Sequence, residues 1–182
     1  FEGYTLVTSQ FKTLAQSPST NQISLDGQEL DLLFLKVNGK KIESSGYNQT
    51  QTCLEISELP QEAEIEIQTK IYPEKNKALE GLYQSGEILC TQNEASGFRY
   101  ITYFFDRPDV MTSYTTTISA DKKIYPYLLS NGNCTSKKDL DNNRHEVTWE
   151  DPHKKPCYLF ALVAGDFDIL EDSFTTCSKK EV

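Results

Sequence analysis

Along most of the chain apolar and polar residues alternate with a period of two, and β-branched or aromatic side chains crowd the alternating runs. That pattern predicts strands with one face on a core and one in water. The runs are Tyr4 to Phe11 (YTLVTSQF), Ala63 to Ile71 (AEIEIQTKI), Arg99 to Phe105 (RYITYFF), Tyr114 to Ala120 (YTTTISA), His145 to Trp149 (HEVTW) and Tyr158 to Ala164. In Glu64-Ile65-Glu66-Ile67-Gln68 the charges point one way and the isoleucines the other, as a sheet with one wet face requires. Tyr158, Phe160, Leu162 and Val163 read differently, as the core of a strand buried on both faces.

Turn chemistry gathers at Ser17 to Gln22 (SPSTNQ), Asn38-Gly39, Ser45-Gly46, Tyr72 to Lys77 (YPEKNK) and Asn131 to Asn143 (NGNCTSKKDLDNN). Val37-Asn38-Gly39-Lys40 is the sharpest hairpin signal, because Asn-Gly supplies the positive φ angles of a type I′ turn. Gly81, Gly86 and Gly97 read as tight backbone positions and Pro108 as fixing a turn. No repeat or domain-splitting linker interrupts the pattern. The expectation is a single all-β domain over residues 1–182.

Charge narrows the partners. The formal net charge of −9 repels phosphate backbones and anionic headgroups, and no Lys/Arg stripe offsets it. Neither nucleic acid nor a membrane is an expected partner. The longest apolar run, Cys157 to Gly165, is about half of the roughly 20 residues a spanning helix needs. Phe1 onward shows no secretory signal. Five cysteines (Cys53, Cys90, Cys134, Cys157, Cys177) form an odd, irregular set without a C-x-x-C pair. They read as free thiols in a reducing compartment, so the expected location is cytoplasmic. The sequons at Asn48 and Asn133 carry little weight in that setting.

Self-contained catalytic motifs are not found. His145-Glu146-Val147-Thr148-Trp149 begins like a zinc-protease H-E-x-x-H helix, but Trp149 stands where the second imidazole belongs and the segment alternates like a strand. His153 is the only other histidine. No G-x-S-x-G or phosphate-cradling glycine loop occurs. The pairs Asp106/Asp109 and Asp166/Asp168 read as solvated or capping acids. What stands out is one carboxylate, Glu94, in the small and amide-rich stretch Cys90 to Phe98 (CTQNEASGF), with no lysine or arginine before Arg99.

Six stretches in order, ALEGLYQSG (78–86), LCTQNEASGFR (89–99), FFDRPD (104–109), LLSNGN (128–133), KPCYLFALVAGDF (155–167) and FTTCSKKEV (174–182), closely resemble the amino-terminal domain of the bacterial aminopeptidase N family of gluzincin zinc metallopeptidases. The likeness is dense from Ala78 onward and thinner over residues 1–77, where Leu25-Asp26-Gly27 and Val37-Asn38-Gly39 fit weakly. It implies a saddle-like β-sandwich preceding a zinc catalytic domain and a later helical domain. It also implies that the G-x-M-E-N and H-E-x-x-H motifs lie downstream, that zinc is bound there and not by residues 1–182, and that Phe1 starts partway into the first strands.

The family pairs a Gln and a Glu one residue apart on a loop reaching the catalytic cleft, and Gln92-Asn93-Glu94 matches that pattern. An exopeptidase must recognise the α-ammonium, a cation with three donors. A carboxylate with a neighbouring amide oxygen answers it. The resemblance thus implies peptides with a free α-amine as substrates and the chain's own catalytic domain as partner. No catalytic or metal-binding residue is expected in residues 1–182; Asn93 is given no role. The alternatives are a non-catalytic β-sandwich interaction module and a relative with epoxide-opening activity.

Overall fold

The structure, a computed structural model, describes residues 3–17 and 19–181; Phe1, Glu2, Pro18 and Val182 lie outside them, and with them the reading placed on Phe1. The strands are β1 (Thr5–Leu14), β2 (Ile23–Asp26), β3 (Asp31–Val37), β4 (Lys40–Lys41), β5 (Tyr47–Gln49), β6 (Cys53–Ile56), β7 (Glu62–Ile71), β8 (Gly81–Ser85), β9 (Ile88–Gln92), β10 (Thr112–Asp121), β11 (Tyr127–Ser130), β12 (Asn133–Leu140), β13 (Arg144–Lys155) and β14 (Leu162–Gly165). Helix among the described residues is confined to four single 3₁₀ turns, so the all-β expectation holds.

Among the described residues all ladders are antiparallel and form four sheets, β1–β7–β3–β4, β10–β13–β12, β11–β14–β9–β8 and β2–β6–β5. β7 carries the one-sided pattern its sequence predicts. Ile65 and Ile67 are fully buried, while Glu64, Glu66 and Gln68 stay on the wet face, where Glu66 pairs with Lys36 at 3.0 Å. Its apolar face closes on Leu25 and Leu54 and on Tyr103 and Phe104. The Asn38-Gly39 turn has φ of 50° and 76°, the two left-handed residues of a type I′ hairpin joining β3 to β4. Pro108 sits inside the turn closed by Val110 N donating to Arg107 O at 3.3 Å.

Three local expectations are corrected. Residues 99–105 are not a strand: Phe98–Tyr100 is a 3₁₀ turn, and only Phe104 pairs, as an isolated bridge to Asp26. Phe98, Ile101 and Phe104, three residues apart, all turn into the core, which a strand of period two cannot do. Asp106 holds the bend by accepting from both the backbone and the side chain of Arg99. The run from Tyr158 is likewise a 3₁₀ turn (Cys157–Leu159) that becomes a strand only at Leu162, and Tyr158, Phe160, Leu162 and Val163 are half-buried. Conversely, most of the polar stretch 131–143 is β12, held by its backbone ladder to β13, with the turn confined to 141–143. Its side chains are almost all exposed, so no apolar alternation marked it.

Candidate functional site

β8 and β9 form a hairpin that pairs Ser85 with Ile88 at its turn and Gly81 with Gln92 at its open end. Beyond Gln92 the chain folds back across that end. Gly97 N donates to Asn93 O at 2.9 Å, closing a five-residue turn, and Tyr100 N donates to Gly97 O at 3.0 Å to begin the 3₁₀ turn. Two glycines allow the close approach. A Cβ on Gly97 would lie 2.3 Å from Gln92 O and 3.0 Å from Gly81 N, and one on Gly81, at φ +68°, would lie 2.6 Å from Tyr100 Cβ.

The loop is stapled from below. Asn93, 3% exposed, donates through Nδ2 to Phe160 O at 2.7 Å, while its buried Oδ1 meets no partner among the described residues. Thr91 Oγ1 accepts from Leu162 N at 2.9 Å, tying the end of β9 to β14. Phe98 stacks edge-on against Phe104 and Phe160 at 5.5 Å and 5.4 Å. Sequence reading gave Asn93 no role; an Asn in a turn is ordinary, and only the fold places its amide on a carbonyl 67 residues away.

On this fixed base Gln92, Glu94, Ala95 and Ser96 are exposed. The structure brings the two expected residues together: Gln92 Nε2 donates to the Glu94 carbonyl oxygen at 2.9 Å. With that nitrogen committed, the Gln92 amide oxygen is the end left for an incoming donor. The Glu94–Ala95 peptide is cis. Among the described residues no ion pair includes Glu94.

Arg99, the cation nearest to it in sequence, is engaged elsewhere. Its Nε lies 2.8 Å from Asp106 Oδ2 and its terminal nitrogen 3.9 Å from Asp26 Oδ1. The Asp106 side chain is 1% exposed, so this acid is a buried partner and not a solvated group. Asp109 pairs with Arg107 at the surface, and Asp166 and Asp168 are exposed.

The other candidates do not assemble a site. His145 is buried on β13 with Nε2 donating to Tyr125 O at 2.8 Å, and Val147 and Trp149 share its face as the alternation predicts. Among the described residues no group of three His, Cys, Asp or Glu stands together to hold a metal ion. All five cysteines are free. Burial, reinforced by the Asp106 carboxylate 3.1 Å away, pushes the Cys157 thiol well above the usual thiol range, which keeps it protonated and unreactive. No helix among the described residues is long and apolar enough to cross a membrane.

Comparison with known proteins gives a consistent result. The profile of the Peptidase M1 N-terminal domain matches residues 1–159. Aminopeptidase N of Escherichia coli (strain K12) is 49% identical over 178 residues, covering 98% of this chain and 20% of that protein. The Haemophilus influenzae aminopeptidase N is 47% identical, covering 98% and 21%. The crystal structure of Legionella pneumophila aminopeptidase A in complex with aspartic acid superposes with a TM-score of 0.92 at 34% identity, over 97% of this chain and 21% of that one. The chain thus spans about a fifth of the length of the curated relatives it matches.

Proposed function

Because the chain belongs to the Peptidase M1 N-terminal domain family, we propose that it is the substrate-anchoring domain of a cytoplasmic zinc aminopeptidase that removes amino-terminal residues from peptides. The observation that carries this reading is the Gln92–Glu94 loop, an exposed carboxylate without a cationic partner among the described residues, beside an amide whose nitrogen is already used. Glu94 accepts from the α-ammonium of the substrate through a charge-assisted hydrogen bond, and Gln92 Oε1 accepts a second proton of the same group. Fixing the first residue in this way sets which peptide bond is presented for cleavage.

Zinc is held by a catalytic domain outside residues 1–182, a reading supported by relatives about five times the length of this chain. Docking to that domain is supported by the apolar side chains that stand in solvent after the last sheet strand: Ile169 is 56%, Leu170 94% and Phe174 65% exposed. The cytoplasmic location rests on the five unpaired thiols.

The test is Glu94→Gln in the full-length protein. Removing the charge from a charge-assisted bond costs about 1.5–3 kcal/mol, so kcat/KM falls by about 10- to 100-fold while zinc content stays normal. Unchanged kinetics on free-amine substrates would remove Glu94 from the mechanism. A protein that binds partners and cleaves no peptide would favour the interaction-module reading.

A further inference from the structure

Asn93 stands between the two proposed amine ligands and faces the other way. Gln92 and Glu94 are exposed, whereas Asn93 is only 3% exposed. It is held at two independent points. Its backbone oxygen accepts from Gly97 N at 2.9 Å, and its side-chain Nδ2 donates to Phe160 O at 2.7 Å. On the outer side Gln92 Nε2 reaches past Asn93 to the Glu94 carbonyl oxygen at 2.9 Å. Turning residue 93 moves both neighbours at once, because each shares a planar peptide unit with it.

The carbonyl that receives Asn93 is itself fixed. Phe160 closes the Cys157–Leu159 turn, with Phe160 N donating to Cys157 O at 3.0 Å. Asn131 grips the residues on either side: its Nδ2 donates to Leu159 O at 3.1 Å, and its Oδ1 accepts from Ala161 N at 2.6 Å. From Cys157 the contacts lead back to the loop. The thiol donates to Asp106 Oδ1 at 3.1 Å, Asp106 Oδ2 accepts from Arg99 N at 3.2 Å, and Arg99 lies in the 3₁₀ turn that opens on Gly97. Asn93 is the member of this closed circuit that sits between Gln92 and Glu94.

Packing alone does not account for an amide here. Asn93 Oδ1 is buried and meets no partner among the described residues, and a buried acceptor left unpaired lowers stability. The position uses only the donor half of the side chain, aimed at one carbonyl.

We propose that Asn93 is a positioning residue for the amine clamp: its bond to Phe160 O holds residue 93 inward, and so aims the Gln92 amide oxygen and the Glu94 carboxylate together at the α-ammonium of the substrate. Asn93 itself touches neither substrate nor metal. Ligand-bearing groups keep a productive geometry only when a supporting hydrogen bond locks the residue that carries them. The inference rests on the clamp reading given above and adds to it the part that orients the clamp.

Asn93→Leu in the full-length protein tests it. Leucine keeps the branched shape and removes both the donor and the unpaired Oδ1. The probes are two competitive inhibitors, an α-amino hydroxamate and the same hydroxamate without its amine, with zinc content and thermal unfolding measured on the same sample. The expected result is that affinity for the amino compound falls by about 10-fold or more, while affinity for the amine-free compound stays within about twofold and zinc content is unchanged. A merely structural role would lower both affinities alike or neither, and either result overturns the inference. Glu94→Gln, measured in the same way, separates the two claims. If Glu94→Gln abolishes the preference for the amine and Asn93→Leu does not, the role of Asn93 falls and the clamp stands; if neither variant abolishes it, both fall. Should Asn93→Leu not fold, Asn93→Asp keeps the side-chain shape and sets a carboxylate oxygen in place of the donor, with the same outcomes decisive.

Discussion

Gly97→Ala probes the loop without touching either proposed ligand. The added methyl would lie 2.3 Å from Gln92 O and 2.8 Å from Asn93 Cα, against an ordinary contact distance of about 3.5 Å. Gly97 has φ −86°, so the change brings no backbone strain of its own; the whole effect is steric. Relief needs a shift of about 1 Å between residue 97 and the end of β9. Phe98 is locked among Phe104 and Phe160, so the Gln92–Glu94 side yields more readily. Overpacking of this kind costs about 1–3 kcal/mol of stability. A misplacement of about 1 Å in a positioning group lowers catalytic efficiency by about 100-fold.

The assay is kcat/KM on an amino-acid anilide in the full-length protein, with thermal unfolding measured on the same sample. Gly86→Ala is the control. Gly86, at φ +62°, has open space where its Cβ would stand and lies at the opposite end of the hairpin, so it loses some stability and keeps its kinetics. If Gly97→Ala keeps kcat/KM within about twofold of the parent while its stability falls, loop geometry does not set substrate register and the clamp is refuted.

Asp106→Ala removes the acceptor shared by Arg99 and the Cys157 thiol. Breaking a buried pair costs about 3–5 kcal/mol, and the lower end applies because Arg99 is a quarter exposed and still reaches Asp26; denaturant unfolding of the full-length protein measures it, and a loss below about 1 kcal/mol would contradict the burial argument. Thiol trapping in cells, followed by denaturation, should find all five cysteines reduced, and recovered disulfides would speak against a cytoplasmic location. In the folded protein the exposed Cys134 and Cys177 alkylate at about pH 8.5 while Cys157 does not. Because the Cys157 thiol is raised by burial, its contribution to stability is complete below the ordinary thiol pKa and declines as pH climbs above it.

Legibility followed the range of the forces involved. Alternation in residues 64–68 could be read because the sheet buries one face, and Asn38-Gly39 because a type I′ turn is a local choice. β12 could not be read, since an exposed polar strand is held only by its neighbour's backbone, and the bend at 98–104 depends on Asp26 and Asp106. At the site, Gln92 and Glu94 came from resemblance to a family, sharpened by the scarcity of cations in the loop. What fixes them is a glycine that must lack a methyl and an Asn93 amide bound to a distant carbonyl. Neither relation is visible along the chain.

The exposed strand β12 has a practical consequence. It closes one flank of its sheet with Lys137, Lys138 and Asp139 on a bare edge. Such charges discourage a like molecule from adding itself in register and growing into a fibre. Concentrated stocks of the protein are therefore guarded on that flank, and a formulation that neutralises those lysines would remove the safeguard.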